Sequence, residues 1–169
     1  MTSISASRPG TVMQAAFRSP IRLYDAGLGW LLCERFLCLT HIGRKTGRHY
    51  RTVLEVVGTN PTANEHFVLA GFGPSSDWYR NIDANPARQI IVGRKHFSPQ
   101  HRVLDEAEAV VVIADYERRN RWMLRIVHFL LTSLLGWRYD GSHEARARLV
   151  RQLPVVAFRP RTEDAPQAE

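Results

Sequence analysis

The feature that most constrains this chain is a succession of short extended runs, close together in sequence and punctuated by glycine, proline and asparagine. Phe36–Ile42 and Tyr50–Val57 flank the turn Gly43-Arg44-Lys45-Thr46-Gly47, and the second run carries Thr52, Val53, Val56 and Val57. That pattern predicts a hairpin. His66–Ala70 reads as a third strand, Ala87–Val92 and Phe97–Leu104 as two more around Gly93-Arg94-Lys95, and Pro154–Phe158 as a closing strand. The runs do not alternate regularly with helices, and no dinucleotide fingerprint follows any of them, so a doubly wound parallel sheet is disfavoured. The expectation is an α+β protein built on a closed or nearly closed barrel of about six mostly antiparallel strands, with helices inserted between them.

The intervening segments fill in the rest. Gly58 to Asn64 is a polar turn holding Pro61, and Gly71-Phe72-Gly73-Pro74-Ser75-Ser76 is loop by composition. Ser76 or Asp77 caps a short helix that runs to Asn85 and stops at Pro86. Asp105, Glu106 and Glu108 suit a helix N-terminus and open a helix to Arg119. Trp122 to Leu135 continues as a strongly apolar helix, expected to be core. The neighbouring Arg118, Arg119, Arg121 and Arg125 leave an interfacial helix open as the alternative. Thr11 to Cys38 reads as helical, broken at Pro20 and at Gly27 and Gly29. The boundaries are a loose Ser-rich tail over 1–10, one domain over 11–159, and a polar, disordered tail over 160–169.

Charge narrows the function classes. The chain of 169 residues carries a net charge of +7, which is either a solvated excess or the mark of an anionic partner. Nucleic acid is set aside, because no recognised module or aromatic-interleaved basic patch is present. The longest uncharged run, Ile126 to Trp137, has 12 residues, too few to cross a bilayer. Cys33 and Cys38 lie in an apolar stretch and read as reduced core thiols of a cytoplasmic protein. No histidine pair has metal-ligand spacing, and His41 and His128 are expected to satisfy local hydrogen bonds. No Gly-x-Ser-x-Gly elbow is present, and no catalytic side chain is assigned.

Two segments could hold a ligand. In Gly43–Gly47 the glycines allow close backbone approach, while Arg44 and Lys45, extended by Arg48 and Arg51, supply charge for phosphate oxygens. The alternative is a solvated hairpin tip. From Gly71 to Asn85, Gly71 and Gly73 are flexible, Ser75 and Ser76 are small donors, and the amides opening the next helix could meet an oxyanion. Trp78 and Tyr79 could stack beside a planar ring or belong to the core.

Read in order, Thr40-x-x-Gly43-Arg44-Lys45-Thr46-Gly47, Arg51-Thr52 and Asp77-Trp78-Tyr79-Arg80-Asn81-Ile82-x-Ala84-Asn85-Pro86 resemble the deazaflavin-dependent nitroreductase family. The resemblance covers roughly Leu31 to Phe158 and implies a split β-barrel of the flavin/deazaflavin oxidoreductase superfamily. It implies coenzyme F420 as cofactor, with FMN the less favoured option. F420 carries a tricyclic deazaflavin, a ribityl chain, a phosphate and an oligoglutamate tail. By this resemblance Arg44, Lys45 and Arg51 match the phosphate-contacting positions, and Thr46 with the backbone of Arg51, Thr52, Val53 and Leu54 lines the cofactor. Ala70, Gly71, Phe72 and Gly73 match the loop near ring and tail, and Trp78 and Tyr79 the aromatic pair after it. The implied activity is hydride transfer from reduced F420 to a small electron-poor acceptor: a quinone, an enone or a nitro compound. The alternative is a non-catalytic protein of the same fold that binds an anionic lipid, a fatty acid or a membrane surface, with peripheral association at the membrane's inner face.

Overall fold

The computed structural model describes residues 34–161. The expected N-terminal tail, most of the interrupted helix over Thr11–Cys38, Cys33 and most of the C-terminal tail lie outside the described residues. Seven strands and four helices follow one another: β1 (Phe36–Ile42), β2 (His49–Asn60), β3 (Glu65–Leu69), α1 (Asp77–Ala84), β4 (Gln89–Val92), β5 (Lys95–Phe97), β6 (Pro99–Val103), α2 (Glu106–Arg119), α3 (Leu124–Leu135), α4 (His143–Gln152) and β7 (Val155–Pro160). The strand order is β5-β4-β1-β2-β3-β7-β6, and every pairing is antiparallel. This is an α+β fold on a nearly closed split barrel, as the run of short strands implies.

The long strand β2 joins the two halves. Its first part pairs with β1, from Ile42↔His49 to Phe36↔Glu55. Its last part pairs with β3, from Val56↔Val68 to Asn60↔Glu65. The register shifts between Val56 and Gly58, where a Cβ on Gly58 would lie 3.1 Å from the Phe67 ring and 3.2 Å from Val112 of α2. A bulge at a glycine lets the strand bend and the helix approach. Gly58 is therefore inside β2, not in the polar turn that the composition predicts.

Strands β3 and β7 are buried on both faces, and alternation divides their side chains between two cores. Val68, Val156 and Phe158 point into the barrel with Leu37, Leu39, Ile90, Val92 and Phe97. Phe67, Val155 and Ala157 point the other way, against Ala109, Val110 and Ile113 of α2 and Ala147, Leu149 and Val150 of α4. Arg102 of β6 fastens the outer layer. It holds the buried Glu65 carboxylate through two bonds of 2.9 and 3.0 Å and pairs with Glu108 at 2.7 Å. Asp105 caps α2 by accepting the Glu108 N–H at 2.8 Å, so the acidic trio does serve the helix start.

Four expectations are corrected. Phe97–Leu104 is two strands, because Phe97 pairs with Ile90 while Pro99 pairs with Pro160 in the other half. Proline has no N–H for a ladder and here opens the new strand. The polar stretch after Trp137 contains helix α4, started by Ser142, whose Oγ accepts the Ala145 N–H at 3.1 Å. Strand β7 extends to Pro160, past the point where a disordered tail is expected. The apolar helix Trp122–Leu135 is not core: no residue of α3 is fully buried, and Leu130 is 55% exposed. Among the hydrophobic residues of α3, Leu131 and Leu135 pack on the outer core, and the His128 ring meets Tyr139 edge-on at 5.2 Å.

Candidate cofactor site

The tip between β1 and β2 is a closed loop. The Gly43 N–H donates to the Arg48 carbonyl at 2.8 Å, and the Gly47 N–H to the Gly43 carbonyl at 2.8 Å. Gly47 has φ 66°, which an L residue adopts only with strain. Gly43 is required for space: a Cβ there would meet the Tyr50 ring at 2.5 Å and Thr46 Oγ1 at 2.7 Å. The Thr46 hydroxyl accepts the Arg48 N–H at 3.3 Å and bonds the Tyr50 hydroxyl at 3.1 Å.

Beneath this tip lies a network that connects it to α1. Asp77 and Asn81 are four residues apart, so they share one face of α1. Asn81 Oδ1 accepts from the Arg44 backbone N–H at 3.1 Å and from Arg44 Nη1 at 2.9 Å, and Asp77 Oδ1 accepts from Arg44 Nη1 at 3.0 Å. The Asn81 amide donates to His41 Nδ1 at 3.0 Å, and His41 Nε2 bonds the Thr52 hydroxyl at 3.1 Å. His41 is thus satisfied at both nitrogens, and its ring stacks on Tyr50 with centroids 6.0 Å apart. His128 departs from expectation, since its buried Nε2 has no hydrogen-bond partner.

The candidate residues fall into distinct roles. Arg44 is committed by Nη1 to α1, yet a guanidinium has five N–H donors, so most of its capacity remains. Lys45 is exposed and has no ion pair among the described residues. Arg51, Thr52, Val53 and Leu54 lie on the part of β2 that β3 does not cover. The Val56 N–H donates to the Arg35 carbonyl at 2.8 Å, and antiparallel alternation then turns the N–H and C=O of Arg51 and Val53 away from β1. On that side β3 pairs only from Val56 onward. The side chains alternate as well: Leu54 packs toward the barrel core, whereas Arg51 and Val53 face outward.

The loop Ala70 to Gly73 leads directly into α1, so the helix joins both candidate segments. Ala70 is buried, and its N–H donates to the Pro154 carbonyl at 2.9 Å. Phe72 is exposed. Ser75 and Ser76 are not available as ligand donors, because their hydroxyls donate to the Phe72 and Gly73 carbonyls at 2.9 and 2.5 Å. Trp78 is 7% exposed and belongs to the barrel core, against Phe158 at 6.5 Å and edge-on to Tyr79 at 5.8 Å. Tyr79 is the more accessible member of the pair, and burial beside Asp83 raises its phenol pKa. His41, Tyr50, Asp77 and Asn81 form the support of the hairpin, a role that residue type alone does not give them. The i, i+4 spacing of Asp77 and Asn81 was the available signal for two of them.

Burial also governs the pH response. His41, His66 and His101 all have pKa values pushed below the ordinary imidazole value of 6.5 by loss of solvent. The unfolded chain therefore binds protons that the folded one refuses, and stability is complete above about pH 6.5 and falls as pH drops through it. The lowered carboxylates of Glu34 and Glu108 lose their contribution only at lower pH. Thermal melts are expected to show a falling Tm from about pH 7.5 to pH 5.5. His66→Leu, which removes a buried imidazole with an unpartnered Nδ1, is expected to flatten that slope. An unchanged slope would place the titration elsewhere.

The fold is a nearly closed split barrel that carries a basic, glycine-framed hairpin at the tip of β1 and β2. A family model described as F420H(2)-dependent quinone reductase matches residues 20–127, and the chain belongs to that family; it is an F420-dependent reductase. Among solved structures, an F420-H2-dependent reductase, FDR-A, is 23% identical over 75% of this chain and 96% of its own, with TM-score 0.42. HutZ, the haem storage protein of Vibrio cholerae, is 14% identical over 83% of this chain and 91% of its own, with TM-score 0.47. An FMN-binding, pyridoxamine 5'-phosphate oxidase-related protein of Nostoc punctiforme is 15% identical over 94% and 83%, with TM-score 0.43. No curated protein matches the chain. Among the described residues no group of three or more His, Cys, Asp or Glu side chains could hold a metal ion.

Proposed function

We propose that the Gly43–Gly47 hairpin, the Arg51–Leu54 stretch of β2 and the Ala70–Gly73 loop hold F420, and that the acceptor is a small planar electron-poor molecule, a quinone first. The observation that carries this reading is the construction of the hairpin tip. Gly43 has no room for a side chain, Arg44 is fixed to α1 by Asn81 and Asp77, and Lys45 stands exposed with no ion pair among the described residues. A tip built this way offers a rigid guanidinium and an exposed ammonium to phosphate or carboxylate oxygens. Arg51 adds charge from the outward face of β2. The Val53 backbone, turned away from β1, offers a donor and an acceptor that suit the polar edge of a flavin-like ring. Gly71 keeps the opposite loop open, since a Cβ there would meet nothing within 4 Å.

When bound, reduced F420 supplies the hydride. The protein's own tasks are to anchor, orient and exclude water, and no side-chain nucleophile is needed. Tyr50 and Phe72 are exposed aromatic rings and suit a planar acceptor. The same fold used as a non-catalytic lipid carrier has less support, because the family whose model matches the chain is one of reductases.

A fluorescence titration with F420, and with FMN in parallel, tests this reading. Lys45→Ala is expected to weaken F420 by ~1.5–3 kcal/mol, the scale of a charge-assisted hydrogen bond. The affinity of the native protein is expected to fall as salt rises. Asn81→Ala releases Arg44 and is expected to weaken F420 while leaving Lys45 in place. If Lys45→Ala binds like the native protein at low salt, the phosphate lies elsewhere.

A further inference from the structure

Helix α3 presents a face that the fold does not use. Leu124, Val127, Leu131 and Leu135 turn toward the protein, as their partial burial at a spacing of three and four shows. The opposite side carries Trp122 from the turn before the helix, then Ile126, Phe129, Leu130 and Leu134, all exposed. Trp122 is 76% exposed and Phe129 72%. Soluble surfaces carry single apolar residues without consequence, but five large ones on one ridge mark a binding surface. The helix has 12 residues, and no described helix is long and apolar enough to cross a membrane.

The charges around the ridge identify the partner. Between Arg121 and Tyr139 the chain has Arg121, Arg125 and Arg138 and no aspartate or glutamate. All three arginines are exposed, and none has an ion pair among the described residues. Arg118, on the last turn of α2, adds a fourth cation, although it is paired with Asp115 at 2.9 Å. A protein partner or a second copy of this chain would need to bring its own acidic rim to this surface. An anionic bilayer supplies both requirements at once: acyl chains for Trp122, Ile126, Phe129, Leu130 and Leu134, and phosphate headgroups for the arginines.

We propose that α3 is a membrane-docking helix, lying in the plane of an anionic lipid surface with the Trp122–Phe129–Leu134 ridge in the acyl region. Gly136, with φ 72°, ends the helix, and Trp137 beyond it is held back by Gln152 at 3.0 Å and by the Arg148 guanidinium over its ring at 4.3 Å. The docking ridge is therefore confined to the segment before Gly136. This inference is independent of what the barrel binds, and its failure would leave the F420 reading intact.

The test is co-sedimentation of the full chain with vesicles of equimolar phosphatidylcholine and phosphatidylglycerol, and with vesicles of phosphatidylcholine alone. Binding is expected to the anionic vesicles and to weaken with salt. The Phe129→Ser/Leu130→Ser protein is expected to bind roughly tenfold more weakly or worse, from the apolar area it no longer buries. Arg121→Gln/Arg125→Gln is expected to lose roughly fivefold per arginine. Both variants change exposed side chains, so an unchanged Tm and an unchanged F420 affinity certify the fold. Absence of vesicle binding by the native protein, equal binding by the variants, or a native dimer that the serine pair converts to monomer would each overturn the proposal.

Discussion

Glu117→Ala is expected to cost ~3–5 kcal/mol of stability, the scale for breaking a buried ion pair by removing one partner. Glu117 is 4% exposed and serves three elements from the last turns of α2. Its Oε2 accepts from Arg146 Nη2 at 2.6 Å and Nε at 2.9 Å, and its Oε1 accepts from the Tyr139 hydroxyl at 2.5 Å. Removing it strands a guanidinium that is mostly out of solvent and a buried phenol, so the penalty is the desolvation of both and not the value of one bond. His128 Nε2 lies 3.7 Å from the same carboxylate, and a Cβ on Gly141 would crowd its ring at 2.9 Å. The segment from α3 to α4 is thus closed over this one anion. Burial and the neighbouring carboxylate raise the Tyr139 phenol pKa, so the hydroxyl stays protonated and keeps donating. Chemical denaturation of Glu117→Ala and of Glu117→Ala/Arg146→Ala checks the account. The double variant should lose less than the sum of the two single variants, because the second change removes the charge that the first one stranded. Strict additivity would show that the two side chains do not share an interaction.

The barrel was legible because its signals are local. A hairpin needs only turn residues between two β-branched runs, and Gly43–Gly47 with Gly93 satisfied that requirement. Helix α2 was legible for the same reason, with Asp105 and Glu108 at capping distance in sequence. What could not be read was decided by partners far along the chain. The run Phe97–Leu104 looks continuous, and only its two different partners, β4 and β7, divide it. Helix α4 hid because its polar face dominates its composition, while Ala145, Ala147, Leu149 and Val150 reach the core as small or widely spaced residues. Helix α3 misled in the opposite direction. An apolar run is read as core by default, yet the inner face of α3 already satisfies the packing, and the outer face remains exposed.

The candidate site divides in the same way. Arg44, Lys45 and the glycines around them were identifiable from residue type, because positive charge beside chain flexibility has few uses. The support beneath them was not, since Asn81 lies 37 residues from Arg44 and 40 from His41. The spacing of Asp77 and Asn81 puts them on one face of α1, but what that face meets depends on the fold that brings α1 against the hairpin. Trp78 shows the converse: an aromatic in a recognisable motif, whose ring the structure places among Phe158, Tyr79 and the barrel core.

Gly73→Val is expected to destabilise the fold itself by ~3 kcal/mol or more, whereas Gly71→Val is expected to leave stability nearly unchanged and to report on the ligand alone. The two glycines differ in what surrounds them. Gly73 has φ 65°, where a β-branched residue is a genuine outlier costing about 1–3 kcal/mol. A Cβ there would also stand 2.9 Å from the Gln152 carbonyl oxygen, a backbone atom at the end of α4 that cannot turn aside. Its N–H donates to the Ala70 carbonyl at 2.7 Å, so displacing it opens the turn that launches α1, the helix that holds Arg44. On sequence grounds, Gly73→Val would act by occluding the cofactor; the geometry assigns it to folding instead. Gly71 meets nothing within 4 Å, and a side chain added there projects into open space beside Phe72. Thermal melts and F420 titrations on both variants separate the two roles. A low Tm for Gly73→Val together with a native Tm and weakened F420 binding for Gly71→Val is the expected pair. A native Tm for Gly73→Val would mean that the loop moves freely from α4, and native F420 affinity in Gly71→Val would place the ligand away from this loop.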